Sequence, residues 1–232
     1  MKYLGLLFFF WASTAWGAIA VEGSGSESLH PNTAGSVAVS CGTNPNRFLI
    51  VVAKLESTTA AFATLTYNGV SLLPHYDLST NAASQQIFIF KQVGPPTGSN
   101  TLAYSIDTNS SWVIAGACFS DVDQVTPHGT LVGANFTGAD PTVDVTVAAS
   151  GLAVDFMTYA GPGTNFAQSA LQTEVLEVVN SAVGVTISTL VGVGVVTMSY
   201  TDNPAGCCYS RILAIPLNIA TTVRRRQGVL VY

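Results

Sequence analysis

"SWVIAGACFSDVDQVTP", residues 111–127, decides how this chain folds. As far as Phe119 it is an almost unbroken run of small, β-branched and aromatic side chains, too short to span a bilayer and without the three-and-four spacing of an amphipathic helix. Such a run suits a strand covered on both faces. It then surfaces at Asp121-Val122-Asp123, ahead of Thr126-Pro127, where a carboxylate can accept hydrogen bonds from the N–H groups of a turn. "RFLIVVAKL" at 47–55 has the same character, whereas "TVDVTVAA" (142–149) and "VTISTL" (185–190) alternate and suit half-exposed strands.

Working outward, β-like segments are expected at 36–41, 47–55, 62–67, 86–93, 100–106, 111–120, 142–148, 152–159, 171–178, 183–190, 195–201 and 209–217. Between them stand Gly, Pro, Asn and Ser, as in Tyr67-Asn68-Gly69-Val70, "VGPPTG" (93–98) and Ala160-Gly161-Pro162-Gly163, where Gly and Asn supply positive φ and Pro removes a ladder donor. No helical pattern competes. About a dozen strands without helices imply an all-β, two-sheet antiparallel β-sandwich spanning 36–218. The sequence contains no recognisable internal repeat and no interdomain linker.

Residues 1–20 carry the marks of a secretory signal peptide: Lys2, an apolar stretch from Tyr3 to Trp11, and small-x-small triplets at Ala15-Trp16-Gly17 and Ala18-Ile19-Ala20. The mature chain is then expected to begin near Ala18 or Val21, to contain no transmembrane segment and to be secreted, extracellular or on the cell surface. A partly ordered lead (21–35) and an Arg-rich tail (219–232) flank the sandwich. Export would let Cys41, Cys118, Cys207 and Cys208 pair. Adjacent Cys207 and Cys208 point to opposite faces of a strand, so a bridge from one of them to Cys41 or Cys118 is favoured, with buried free thiols as the alternative.

Only 9% of the residues are charged, against about 25% in an ordinary soluble domain. The surface must therefore consist of hydroxyls, amides and backbone. Between residues 21 and 218, four bases against thirteen acids leave −9, and Arg224-Arg225-Arg226 then add +3. An acidic body repels phosphate backbones, which argues against nucleic acid as a partner.

The ordered series "NRFLIVVAKL" (46–55), "LTYNGVSLL" (65–73), "IFKQVGPPTGSNTLAYSI" (89–106), "GACFSDVDQVTP" (116–127) and "SGLAVDFMTYA" (150–160) resembles a jelly-roll-like β-sandwich module of secreted bacterial proteins and phage structural proteins. The resemblance covers roughly residues 34–218. It implies a two-sheet sandwich with no catalytic residues to carry across, and Asp123 in a turn after a buried strand. The chain departs from the module at Asp121, where a glycine is usual, in Cys207-Cys208 and in the Arg-rich tail.

Chemistry-bearing constellations are sparse. Asp121 and Asp123 could ligate Ca²⁺, but six to eight oxygens are needed and the pair supplies too few alone. His30, His75 and His128 fall in expected loops without zinc-site spacing, and no nucleophile elbow or phosphate-binding glycine loop is present. Trp112 at the start of its strand, with Tyr67, Tyr76, Tyr159 and Tyr209 near strand ends, could line a sugar-binding groove. The expectation is a secreted, non-enzymatic structural or adhesive protein whose partners are other copies of itself or a surface polysaccharide; the alternative is a lectin-like carbohydrate-binding module. "GVLVY" (228–232), following the arginines, has the composition of a segment that adds to a sheet edge.

Overall fold

The computed structural model describes residues 18–57, 61–72, 74–80, 85–137, 140–160, 165–180, 183–203 and 209–220. Its strands are β1 (Ala20–Cys41), β2 (Phe48–Leu55), β3 (Phe62–Tyr67), β4 (Val70–Ser71), β5 (Pro74–Thr80), β6 (Gln85–Val93), β7 (Gly98–Ser120), β8 (Val132–Thr137), β9 (Thr142–Val147), β10 (Leu152–Ala160), β11 (Asn165–Gln168), β12 (Thr173–Val179), β13 (Val183–Val191), β14 (Gly194–Asn203) and β15 (Tyr209–Leu217). Every ladder is antiparallel, and no helix occurs among the described residues. The sheets contain seven, five and three strands. The expected β-sandwich architecture is therefore present, with more layers than the two-sheet expectation.

The largest sheet is folded double. Residues 20–29 of β1 pair with 112–120 of β7, and residues 34–41 pair with 98–105. β2 adds to the later half of β7 and β3 to the earlier half. The two layers enclose a core that includes Val39, Leu49, Val51, Tyr67, Tyr104 and Trp112. At the β1 edge, glycine lets the layers close: a Cβ on Gly23 would lie 2.6 Å from the Ser40 carbonyl oxygen, and one on Gly25 would meet the Ala38 carbonyl. The same folding brings Cys41 to Cys118, although their ladder partners Gly98 and Gly23 lie far apart along the ribbon. Cys41 and Cys118 form a disulfide with Cα atoms 5.3 Å apart. This replaces the favoured bridge to Cys207 or Cys208, which both lie outside the described residues. Closing a loop of sequence separation 77 stabilises the fold by about 4–5 kcal/mol on the chain-entropy model.

The pairing scheme of β1–β7 recurs in β8–β15. β2 pairs with β6 and the later half of β7, and β10 pairs with β13 and β15. The two halves of β1 correspond to β8 and β9, which pair with β15 and β14. β3 with β7 matches β11 with β14, and β5 with β6 matches β12 with β13. Register agrees as well: Phe48 faces Val93 and Phe119, Leu152 faces Val191 and Leu217, and 119 − 93 equals 217 − 191. Gly98 and Gly194, both at positive φ (83° and 78°), open the equivalent strands. The chain thus builds one sandwich twice. The sequence hides it because the offset between equivalent positions drifts from 104 (Phe48 and Leu152) to 98 (Val93 and Val191) and 96 (Gly98 and Gly194).

The two sandwiches stack through their inner sheets. Phe48, Ile50, Val52, Ile89 and Phe119 from the first meet Val154, Phe156, Val185, Ile187 and Ile215 from the second in one apolar cluster. A third cluster, with Met157, Tyr159, Met198 and Ile212, lies between the five-stranded and three-stranded sheets. The order is therefore outer, inner, inner, outer, and the central strands of an inner sheet have no exposed face. This is why β2 is buried at every position and why residues 112–120 are buried throughout.

Three expectations are corrected. "VTISTL" in β13 is not half-exposed but buried up to Thr189, because Thr186 and Ser188 point into the second sandwich. Residues 21–35 are not a partly ordered lead but part of β1, whose poorly patterned sequence is held by the edge of β7; Pro31 sits in the irregular corner between the Leu29 and Asn32 pairs. β4, β5, β8 and β11 lie outside the expected segments. The Asn68-Gly69 turn is as expected, with φ of 49° and 76°.

If the inner seam carries the fold, Phe156→Ala should cost about 3–5 kcal/mol in urea unfolding, while Thr101→Ala on an outer face should stay within about 0.5 kcal/mol. Similar costs at the two sites would contradict the layer order.

Candidate functional site

Three of the five aromatic residues expected to line a groove are in the cores. Trp112 is fully buried and packs edge-on against Tyr104 at 4.5 Å between centroids. Tyr67 is fully buried and donates to the Val39 carbonyl (3.1 Å). Tyr159 is fully buried, donates to Glu177 Oε1 (3.1 Å) and occupies space left by Gly184. A ring without exposed face cannot stack on a sugar, so these three are corrected to packing roles. Tyr76 and Tyr209 are described only in backbone, in β5 and β15.

Asp123 sits in the expected turn: its Oδ1 accepts from the backbone N–H groups of Val125 and Thr126, each at 2.8 Å. Those two bonds, Thr126 first, hold its carboxyl below the ordinary range. Asp121 stands at φ 57°, the left-handed region that favours glycine. Its backbone closes the segment, donating to the Pro45 carbonyl (3.2 Å) and accepting from Ala220 N–H (2.8 Å). No group of three His, Cys, Asp or Glu able to hold a metal occurs among the described residues. His75 and His128, expected as scattered loop residues, instead meet, with ring centroids 4.6 Å apart. The 1–17 segment, Cys207, Cys208 and Arg224-Arg225-Arg226 lie outside the described residues.

What the fold presents outward is a pair of hydroxyl faces. Strand alternation sends Val39, Leu65, Tyr67, Leu102 and Tyr104 inward. Their neighbours Ser36, Ala38 and Ser40 of β1, Thr101 and Ser105 of β7, and Thr64 and Thr66 of β3 therefore face solvent, exposed or half-buried. The equivalent outer sheet of the second sandwich exposes Thr142, Asp144 and Thr146 of β9 and Thr197 and Thr201 of β14. Cross-strand bonds satisfy some of these groups: Thr64 Oγ1 with Ser105 Oγ (2.7 Å), and Thr197 Oγ1 donating to Asp144 Oδ1 (2.6 Å). Neither set contains a base. Val191, Val193 and Val195 are exposed around the β13–β14 turn. Beside Val191 lies a pocket of about 210 Å³, lined also by Ala18, Ile19, Ser150, Leu152 and Ile219. Ser150 brings its only side-chain polar atom.

Sequence reasoning missed a buried polar cluster in the second sandwich. Asp155 is fully buried. Its Oδ1 accepts from Ser188 Oγ (2.7 Å), Tyr200 OH (3.0 Å) and Ser188 N–H (3.1 Å), and its Oδ2 from Gln172 Nε2 (3.1 Å). Gln172 Oε1 in turn accepts from Ser199 N–H (2.7 Å). Burial outweighs these four donors and pushes the Asp155 carboxyl up to about 7. The one signal in the sequence was an acid inside the apolar run "LAVDFMTYA".

Comparison of the chain with protein-family models, with curated proteins and with solved structures returns no match.

Because the folded carboxyl of Asp155 titrates above the unfolded one, the folded state keeps a proton between about pH 4 and 7 that the unfolded state has released. Its contribution is fully present below that window and is lost as pH rises through it. Wild type should therefore lose stability relative to Asp155→Asn in urea unfolding from pH 4 to 7 and run parallel to it above. Wild type gaining stability relative to the variant over that interval would contradict the assignment.

Proposed function

We propose that this chain is a secreted, non-enzymatic structural or adhesive component of an extracellular or virion surface. The observation that carries the reading is the placement of chemistry. Aromatic rings and the strongly perturbed acid are spent inside the cores, while two base-free Ser/Thr faces are offered at opposite ends of a four-layer stack. This layout leaves both outer faces free to engage neighbours. The Cys41–Cys118 disulfide suits an oxidising compartment, and the resemblance to secreted and phage structural sandwiches agrees.

The partner set is further copies of the chain or a neutral surface polysaccharide, and the +3 of Arg224-Arg225-Arg226 against a −9 body supplies an attraction between copies. Carbohydrate binding is the weaker reading, since Trp112, Tyr67 and Tyr159 have no exposed ring to offer.

Fractionation of the producing cells with N-terminal sequencing, followed by light scattering of the purified protein from micromolar to millimolar concentration, tests this. Recovery outside the cytosol with a start near Ala18 or Val21, and a mass that grows with concentration, is the expected result. A cytosolic protein that begins at Met1 and stays monomeric would overturn it.

A further inference from the structure

We propose that His75, Lys91 and His128 form a binding site for a small oxyanion, of the phosphate, sulfate or carboxylate class, where the first sandwich meets the segment crossing to the second. The three residues come from separate stretches of chain. Lys91 lies on β6 beside Ile50 of β2. His75 lies in β5 at the register shift between the Pro74–Phe90 and Tyr76–Ile89 pairs, and an irregularity of this kind re-aims a side chain. His128 bridges to Leu217 of β15 from the segment that follows β7. Three distant stretches thus bring three basic groups to one place.

The hydrogen bonds fix how the cluster can work. His128 Nδ1 is 2.8 Å from the Gly129 carbonyl oxygen, so the proton sits on Nδ1. Nε2 then accepts from the Lys91 ammonium at 2.7 Å. An ammonium carries three N–H donors, and this bond uses one. His75 lies against the His128 ring at 4.6 Å. All three residues are half-buried, so the cluster is reachable from solvent. Burial comes first in lowering each of their pKa values; Lys91 and His128 then lower His75 further, while for His128 the bond to Gly129 opposes burial and Lys91 adds to it. In this state His128 is neutral and the two remaining Lys91 N–H groups are the donors; protonating either imidazole sets a second cation against the ammonium, and an oxyanion accepting from Lys91 and the protonated ring relieves that repulsion.

Other charged residues on the surrounding elements do not take this role. Asp123 is held by its own turn, and Arg211 of β15 bonds Asn135. Lys54 lies at the far end of β2, beside Ile87. Asp121 sits on the crossing segment with its backbone tied to Pro45 and Ala220. Asp77 of β5 is described in backbone only. A divalent cation is disfavoured, because an ammonium already occupies the lone pair of His128 and no third His, Cys, Asp or Glu joins the cluster among the described residues.

The test is histidine-ring NMR on the full mature protein at pH 6, titrated with inorganic phosphate, sodium acetate or chloride at matched ionic strength. Saturable shifts of the His75 and His128 resonances with phosphate or acetate are expected, with His30 unmoved. Affinity should fall at least tenfold at pH 8 and in Lys91→Ala, and be kept in Lys91→Arg. His128→Gln, with an unchanged melting temperature, should also weaken binding. Competition by a polyuronate fragment would assign the anion to a polymer, and competition by phosphate alone to a free ion; either supports the site. Equal shifts with chloride, unchanged affinity in Lys91→Ala, or tighter binding of Zn²⁺ than of phosphate would overturn it.

Discussion

The seam of aliphatic and aromatic side chains between the two inner sheets is the contact on which the rest depends. Phe48, Ile50 and Val52 of β2 meet Val154, Phe156 and the β13 valine and isoleucine across it. Each sandwich alone would leave an apolar sheet face in water; stacked, each covers the other's. Burying both faces of an inner strand is also what empties the chain of charge. Among the described residues, Lys54 and Asp155 are the charged side chains fully buried in these sheets, and Asp155 is held by four donors.

The repeated pairing scheme has been filled with different interiors. By register, Val51 and Phe90 of the first sandwich stand where Asp155 and Ser188 stand in the second, and Cys41 where Val147 stands. Tyr104 and Tyr200 are equivalent, and the hydroxyl of each donates a hydrogen bond to an acid, Glu27 at 2.6 Å and Asp155 at 3.0 Å. One sandwich is stapled by a disulfide, the other by a buried polar cluster. The outer faces share a hydroxyl character, whereas the interiors differ.

Much of this was legible in sequence wherever pattern and burial coincide. The unbroken runs at 47–55 and 111–119 announced inner strands, and "TVDVTV" announced an outer one. Asp123 was readable as turn chemistry, because an acid two residues before a free N–H needs only local geometry. What failed was non-local. β1 forms because β7 offers an edge, β13 is covered because a second sandwich exists, and Cys41 finds Cys118 because a ribbon folds double. The tyrosines and Trp112 failed for a related reason: a position near a strand end says nothing about which layer lies above it. His75 and His128 are 53 residues apart in sequence, and only the stacking order places them together.

Two equivalent sandwiches are held as one body by their inner sheets, and native-state hydrogen exchange measures this directly. Amides of β2, β10, β13, β15 and residues 112–120 should exchange slowest and in one cooperative step, with β3, β9, β11 and β14 opening earlier. Two separate unfolding steps, one for each sandwich, or outer strands as protected as inner ones, would contradict it.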